Sequence, residues 1–184
     1  MVKNITNWLL LEPLLYNDFM YLTEIARKLK KNHSSIRKYL ADFEKRGILN
    51  KTIKGRLTMY RINKSFPLIV DYLVIVEKEK LIAKCKSDLF VNEMVSYLHN
   101  NLKEDNKALI FGSMVESKKA NDLDLLITGK IDEKGIEDFG KKFNIKIHLI
   151  NTPNLSSLKE SLRKEIIKKH LIIKGSEDII KWLI

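Results

Sequence analysis

With 184 residues the chain has room for one large domain or two small ones, and an apolar fraction of 45% is enough for a real core. Lys and Arg total 34 against 23 Asp and Glu, a net charge of +11 that points to an anionic partner, with nucleic acid or nucleotide ahead of a membrane surface. No apolar run approaches a membrane span, the N-terminus lacks the cleavage site of a signal peptide, and the single cysteine, Cys85, excludes an internal disulfide. The expectation is a soluble cytoplasmic protein with no membrane partner and with Cys85 a bystander.

Asn4 to Leu11 is apolar enough for a first helix ended by Pro13, and 16–22 reads as a connector. Thr23 is placed to N-cap a short helix over 24–31, with Ile25, Ala26 and Leu29 on one face. Asn32-His33-Ser34 reads as a polar turn before a second helix, 35–45, with Ile36, Tyr39, Leu40 and Phe43 inward and Gly47 as its stop. Two short strands on either side of Gly55 then form a hairpin through Ile62. Helix, helix, helix, hairpin is the order of the winged-helix fold, and residues 1–64 resemble the winged helix-turn-helix DNA-binding domains of prokaryotic regulators. That resemblance implies that Ser34, Ser35, Arg37 and Lys38 face DNA from the second helix of the pair, with Lys54 and Arg56 meeting it from the wing. A protein-interaction role is the alternative for such a domain.

Residues 65–105 carry no evident chemistry and are expected to be a helical connector. Phe66-Pro67 marks a boundary, 68–76 favours helix, and the charged stretch Glu77 to Lys86 reads as a solvated helix face. Val91, Met94, Val95 and Leu98 recur at helical spacing as core, and His99 near that helix's end suits a cation at the dipole.

The segment ALIFGSMVESKKANDLDLLIT, 108–128, carries the chemistry. An apolar run, Ala108 to Phe111, reads as a buried strand ending at Gly112-Ser113, where a glycine lets the backbone turn beside a ligand. After a polar loop with Lys118 and Lys119, Asp122-Leu123-Asp124 opens a second strand, and its i, i+2 spacing puts both carboxylates on one face. Two like charges so placed call for a cation between them. Apolar strand, Gly-Ser, polar loop, Asp-x-Asp, apolar strand resembles the polymerase-beta-like nucleotidyltransferases, in particular the small minimal ones common in archaea and bacteria. The resemblance implies that Gly112 and Ser113 bind nucleotide phosphates and that Asp122 and Asp124 are catalytic, holding Mg2+ or Mn2+ that carries a nucleoside triphosphate.

Further on, 129–134 reads as a loop, 135–143 as a helix and NIKIHLI, 144–150, as a strand beside the Asp-x-Asp strand. Active members of the resembled family place a third carboxylate there. The outward residues of this chain are instead Lys146 and His148. His148 can serve as a metal ligand or as a catalytic general base, and a strand residue facing solvent is its bland alternative. Leu155, Leu158, Leu162, Ile166 and Ile167 form a helical stripe, with Lys159, Arg163, Lys164, Lys168 and Lys169 as a basic outer face, and a last helix runs over 177–183.

Together these readings give an α+β fold, a winged helix-turn-helix over 1–64, a helical connector over 65–105 and a nucleotidyltransferase-like α/β domain with a mixed sheet over 106–184. The expected function is nucleotide binding with DNA binding, and nucleotidyl transfer to an unspecified acceptor. The alternatives are a catalytically inactive regulator built on a transferase fold and a toxin-antitoxin component with a small helical protein partner. A homodimer is the further assembly considered.

Overall fold

The computed structural model describes residues 5–117 and 121–184, with side chains from Trp8 onward, so Lys118 and Lys119 lie outside the described residues. The fold is mixed α+β, with two separate sheets. The chain divides into two compact units, 1–76 with Ile184, and 77–183.

In the first unit a 3-10 helix, Ile5–Leu14, takes the place of the expected α-helix and contains Pro13 rather than ending before it. Met20–Tyr21 form a two-residue strand (β1) inside the expected connector, too short to show a period of two. The first α-helix is Leu22–Leu29 (α1), and Thr23 lies in its first turn instead of capping it. At that end the Glu24 carboxylate accepts a hydrogen bond from the Tyr21 N–H at 2.9 Å. The second helix, His33–Lys45 (α2), starts two residues earlier than expected because the Asn32 side chain is the cap, accepting from the Ser35 N–H at 3.0 Å. Strands Leu49–Lys54 (β2) and Leu57–Ile62 (β3) pair antiparallel, with Lys54 opposite Leu57 across the two-residue turn Gly55-Arg56. Gly55 there has φ +61°, the left-handed conformation such a turn needs. Strand order is β1-β3-β2. Leu11, Leu14, Ile25, Ile36, Leu40 and Ile48 are fully buried, so the expected inner faces of both helices do pack inward. Trp8 stacks on Phe43 and meets Tyr72, with the Arg46 guanidinium 5.2 Å from the indole centroid.

Helix Ile69–Ser87 (α3) contributes to both units. The solvated face expected from Glu77 to Lys86 is overturned: Glu77 is fully buried, Leu81 is buried, and Lys84 is nearly so, paired at 3.0 Å with Asp88. Asp88 also caps the next helix, Leu89–Asn101 (α4), by accepting from the Val91 N–H.

The second unit is built on a four-stranded mixed sheet of order β6-β5-β4-β7: Ala108–Phe111 (β4), Asp122–Thr128 (β5), Lys146–Thr152 (β6) and His170–Lys174 (β7). β4 is antiparallel to β5 and to β7, whereas β5 and β6 run parallel, joined through helix Glu133–Lys142 (α5). Such a parallel pair requires a crossover. One face of this sheet, with Ile110, Leu123, Leu125, Ile127, Leu171 and Ile173, packs with Phe90, Val91, Met94 and Leu98 of α4 and Ile136 of α5. Gly140 lets α5 close on the start of β6, since an added Cβ would lie 2.7 Å from the Ile145 carbonyl oxygen and 2.8 Å from the Ile147 side chain. The segment expected as one stripe from Leu155 is broken into a 3-10 turn, Leu155–Ser157, and a helix, Glu160–Lys168 (α6), and the chain ends in helix Ser176–Leu183 (α7). Among the described residues no helix is long and apolar enough to cross a membrane.

Candidate functional site

The site begins where β4 ends. Gly112 adopts φ +78° and ψ −149°, and its N–H donates to the Lys169 carbonyl at 3.3 Å. Ser113 opens a short 3-10 turn through Val115, its carbonyl accepting from the N–H groups of Glu116 and Ser117, and its side chain is exposed. The backbone of Gly112 is positioned against a carboxylate: a Cβ built there would come within 2.3 Å of Asp124 Oδ2. Any larger residue would push that carboxylate away.

Asp122 and Asp124 stand on one face of β5, and between them Leu123 is fully buried on the other. The parallel register sets Lys146 opposite Asp122 and His148 opposite Asp124, so the outward residues of β6 share the face of the aspartates. His148 Nδ1 is 3.3 Å from Asp124 Oδ1 and 4.0 Å from Asp122 Oδ2. The side chains of Asp122, Asp124 and His148 keep 48%, 30% and 44% of their surface exposed, leaving the three polar groups open to a ligand. Gly112, Asp122, Asp124 and His148 are thus brought together across three strands, with Ser113 adjoining. Among the described residues no three His, Cys, Asp or Glu side chains are already arranged as a metal site, and His148 Nδ1 faces the Asp124 carboxylate directly. The chemistry of the donors nevertheless suits a hard divalent cation: two carboxylates on one strand face, one of them seated against bare glycine backbone.

The residues expected to meet DNA lie in two groups on the first unit. Ser34, Ser35, Arg37 and Lys38 occupy the first turns of α2 and are exposed. The two serine hydroxyls donate to the Asn32 side chain, so they also stiffen the helix start. Lys54 and Arg56 flank Gly55 at the exposed hairpin tip.

The basic outer face expected on α6 is corrected in part. Arg163 Nε donates to the Trp182 carbonyl and Nη2 to that of Leu183, and Lys169 pairs with Glu116 at 2.7 Å. Arg163 thus ties α6 to the end of α7, whereas the Lys169–Glu116 pair lies at the surface. Partial burial and the charges of Lys78 and Lys174 lower the His99 pKa from the ordinary histidine value, which works against a cation at that helix end. Cys85 is half-buried against the core and burial pushes its thiol up, in keeping with a bystander.

Sequence reasoning missed the buried polar cluster around Glu77. Glu77 Oε1 lies 3.5 Å from His170 Nε2 and both its oxygens accept from Lys80 Nζ at 3.0 Å, while His170 Nδ1 meets the Ile166 carbonyl at 2.6 Å. The spacing Glu77 to Lys80 was a signal in the sequence; the histidine 93 positions away was not.

No protein-family model matches the chain, and no curated protein matches it.

Proposed function

We propose that this is a nucleotidyltransferase-family protein of the cytoplasm. It binds a nucleoside triphosphate with a divalent cation at Gly112, Ser113, Asp122 and Asp124, and DNA through a winged helix formed by the first unit. The observation that carries the reading is the placement of Gly112: a left-handed glycine at a strand end, backed onto the carboxylate of an Asp-x-Asp pair. The Gly112 N–H is bonded to the Lys169 carbonyl, so its part is to turn the backbone close beside the carboxylate and leave the exposed Ser113 to meet a phosphate of the same ligand.

Asp122 and Asp124 would hold the cation, which when bound neutralises triphosphate charge and lowers the barrier to displacement at the α-phosphorus. The exposed Ser113 hydroxyl orients a phosphate beside Gly112. His148 stands on the same face, beside both carboxylates. Calorimetric titration of nucleoside triphosphates with magnesium into the wild type and Asp124→Asn tests the site. Cation-dependent binding that disappears in the variant is expected; equal binding by both proteins, or by neither, overturns it.

A second reading, a DNA-binding regulator on a transferase fold without turnover, is favoured by one observation. The position opposite Asp124 is His148 in place of a carboxylate. Under either reading Arg37→Ala and Arg56→Ala weaken duplex binding, and a phosphate-contacting residue reduces the salt dependence by about one ion per cation removed. Unchanged binding by both variants would remove DNA from the proposal.

A further inference from the structure

We infer that His148 is a ligand of the bound cation, and that it turns the Asp-x-Asp site toward a transition ion of the zinc type and away from magnesium. This rests on the reading of Asp122 and Asp124 as a cation site. The argument starts from register. In the parallel β5–β6 pair His148 is the direct neighbour of Asp124, and both side chains leave the sheet on the same side. The ring turns Nδ1, not Nε2, toward the carboxylates, 3.3 Å from Asp124 Oδ1 and 4.0 Å from Asp122 Oδ2.

The 3.3 Å separation is that of a direct hydrogen-bonded contact, so His148 and Asp124 already converge on the point that an ion between them would take. Asp122, with nearly half its side chain exposed, has only to turn toward the same point.

Donor chemistry selects the ion. Magnesium takes oxygen donors and sheds its waters reluctantly, whereas imidazole nitrogen suits zinc and its neighbours. Two carboxylates and one imidazole are three protein ligands, which leave a position open for a ligand oxygen, as in catalytic zinc sites.

The full chain is titrated separately with ZnCl2, CoCl2 and MgCl2 by calorimetry, with visible absorption as a second reading of bound Co2+, for the wild type, His148→Ala, His148→Asp and Asp124→Asn. The exposed position of His148 makes its replacement compatible with folding. The wild type is expected to prefer Zn2+ and Co2+ over Mg2+. His148→Ala should cost these two ions about tenfold or more in affinity and weaken the Co2+ absorption while leaving Mg2+ within about twofold, and His148→Asp should raise Mg2+ affinity. If His148→Ala leaves Co2+ and Zn2+ affinity unchanged while Asp124→Asn abolishes it, the ion sits on the carboxylates alone; the inference falls and the site reading stands. If the wild type binds none of the three ions, with or without ATP, both fall.

Discussion

Replacing Gly112 by alanine tests the geometry of the site without reference to any ligand. The native φ of +78° with ψ −149° belongs to a region that is essentially glycine's own, so alanine there costs about 1–3 kcal/mol in backbone strain. A second cost adds to it. The new Cβ would stand 2.3 Å from Asp124 Oδ2 and 3.3 Å from Cγ, which forces the carboxylate out of its rotamer at about 0.5–1.5 kcal/mol. The sum is about 2–4 kcal/mol, a large share of what a small domain has. Urea unfolding followed by circular dichroism should show this loss. The same measurement on Gly112→Ala combined with Asp124→Ala separates the terms, because removing the carboxylate leaves only the backbone strain, and the pair should couple by about 0.5–1.5 kcal/mol. A Gly112→Ala protein within about 0.5 kcal/mol of wild type would refute the reasoning, since neither strain nor clash could then be present.

Three further outcomes follow from described contacts. Burial works to raise the Glu77 pKa, but the His170 hydrogen bond and the Lys80 charge outweigh it and hold the carboxyl below its ordinary value. Its ionised form therefore stabilises the fold above the unfolded-chain value of about 4.3, and that contribution is lost as pH falls through the lower folded value. Glu77→Gln should cost about 3–5 kcal/mol at neutral pH in urea titrations and less in acid; an equal loss at both ends would contradict the ion pairing. Asn32→Ala removes the cap on α2 and should lower the stability of the first unit by about 0.5–2 kcal/mol, with an unchanged unfolding midpoint as the contrary result. Cys85, its thiol raised by burial, should react with maleimide at neutral pH far more slowly than free cysteine; a matching rate would show it to be exposed.

The site's strands were legible because they are short, apolar and bounded by glycine or aspartate: β4 and β5 lie where their residues place them, and the alternating β6 lies two residues later than expected. The mixed sheet was expected, but His170–Lys174 was left without structure, because its Leu171, Ile172 and Ile173 show no alternation when a strand is buried on both faces. Local chemistry misled at Thr23, a good capping residue overruled by an earlier helix start. It misled again at Glu77, where a run of charges looked solvated. Only tertiary structure supplies Ile166 and β7, which bring His170 to that carboxylate. On the basic face of α6 only Arg163 departs, since the carbonyls it holds lie at the far end of α7, while Lys159, Lys164, Lys168 and Lys169 stay exposed.

The closure of α5 over Gly140 carries a consequence for how this sequence can change. Ile145 and Ile147 rest where a side chain at Gly140 would be, which fixes the phase in which the chain enters β6. Strand side chains alternate, so a single residue inserted or deleted in the short turn after α5 would present Ile147 and Leu149 to the carboxylates and turn His148 toward the hydrophobic core. Point substitutions can adjust the donors one at a time, but an alteration in length exchanges the whole set. The tolerance of this site to evolution is thus governed by a helix end that bears none of its functional groups.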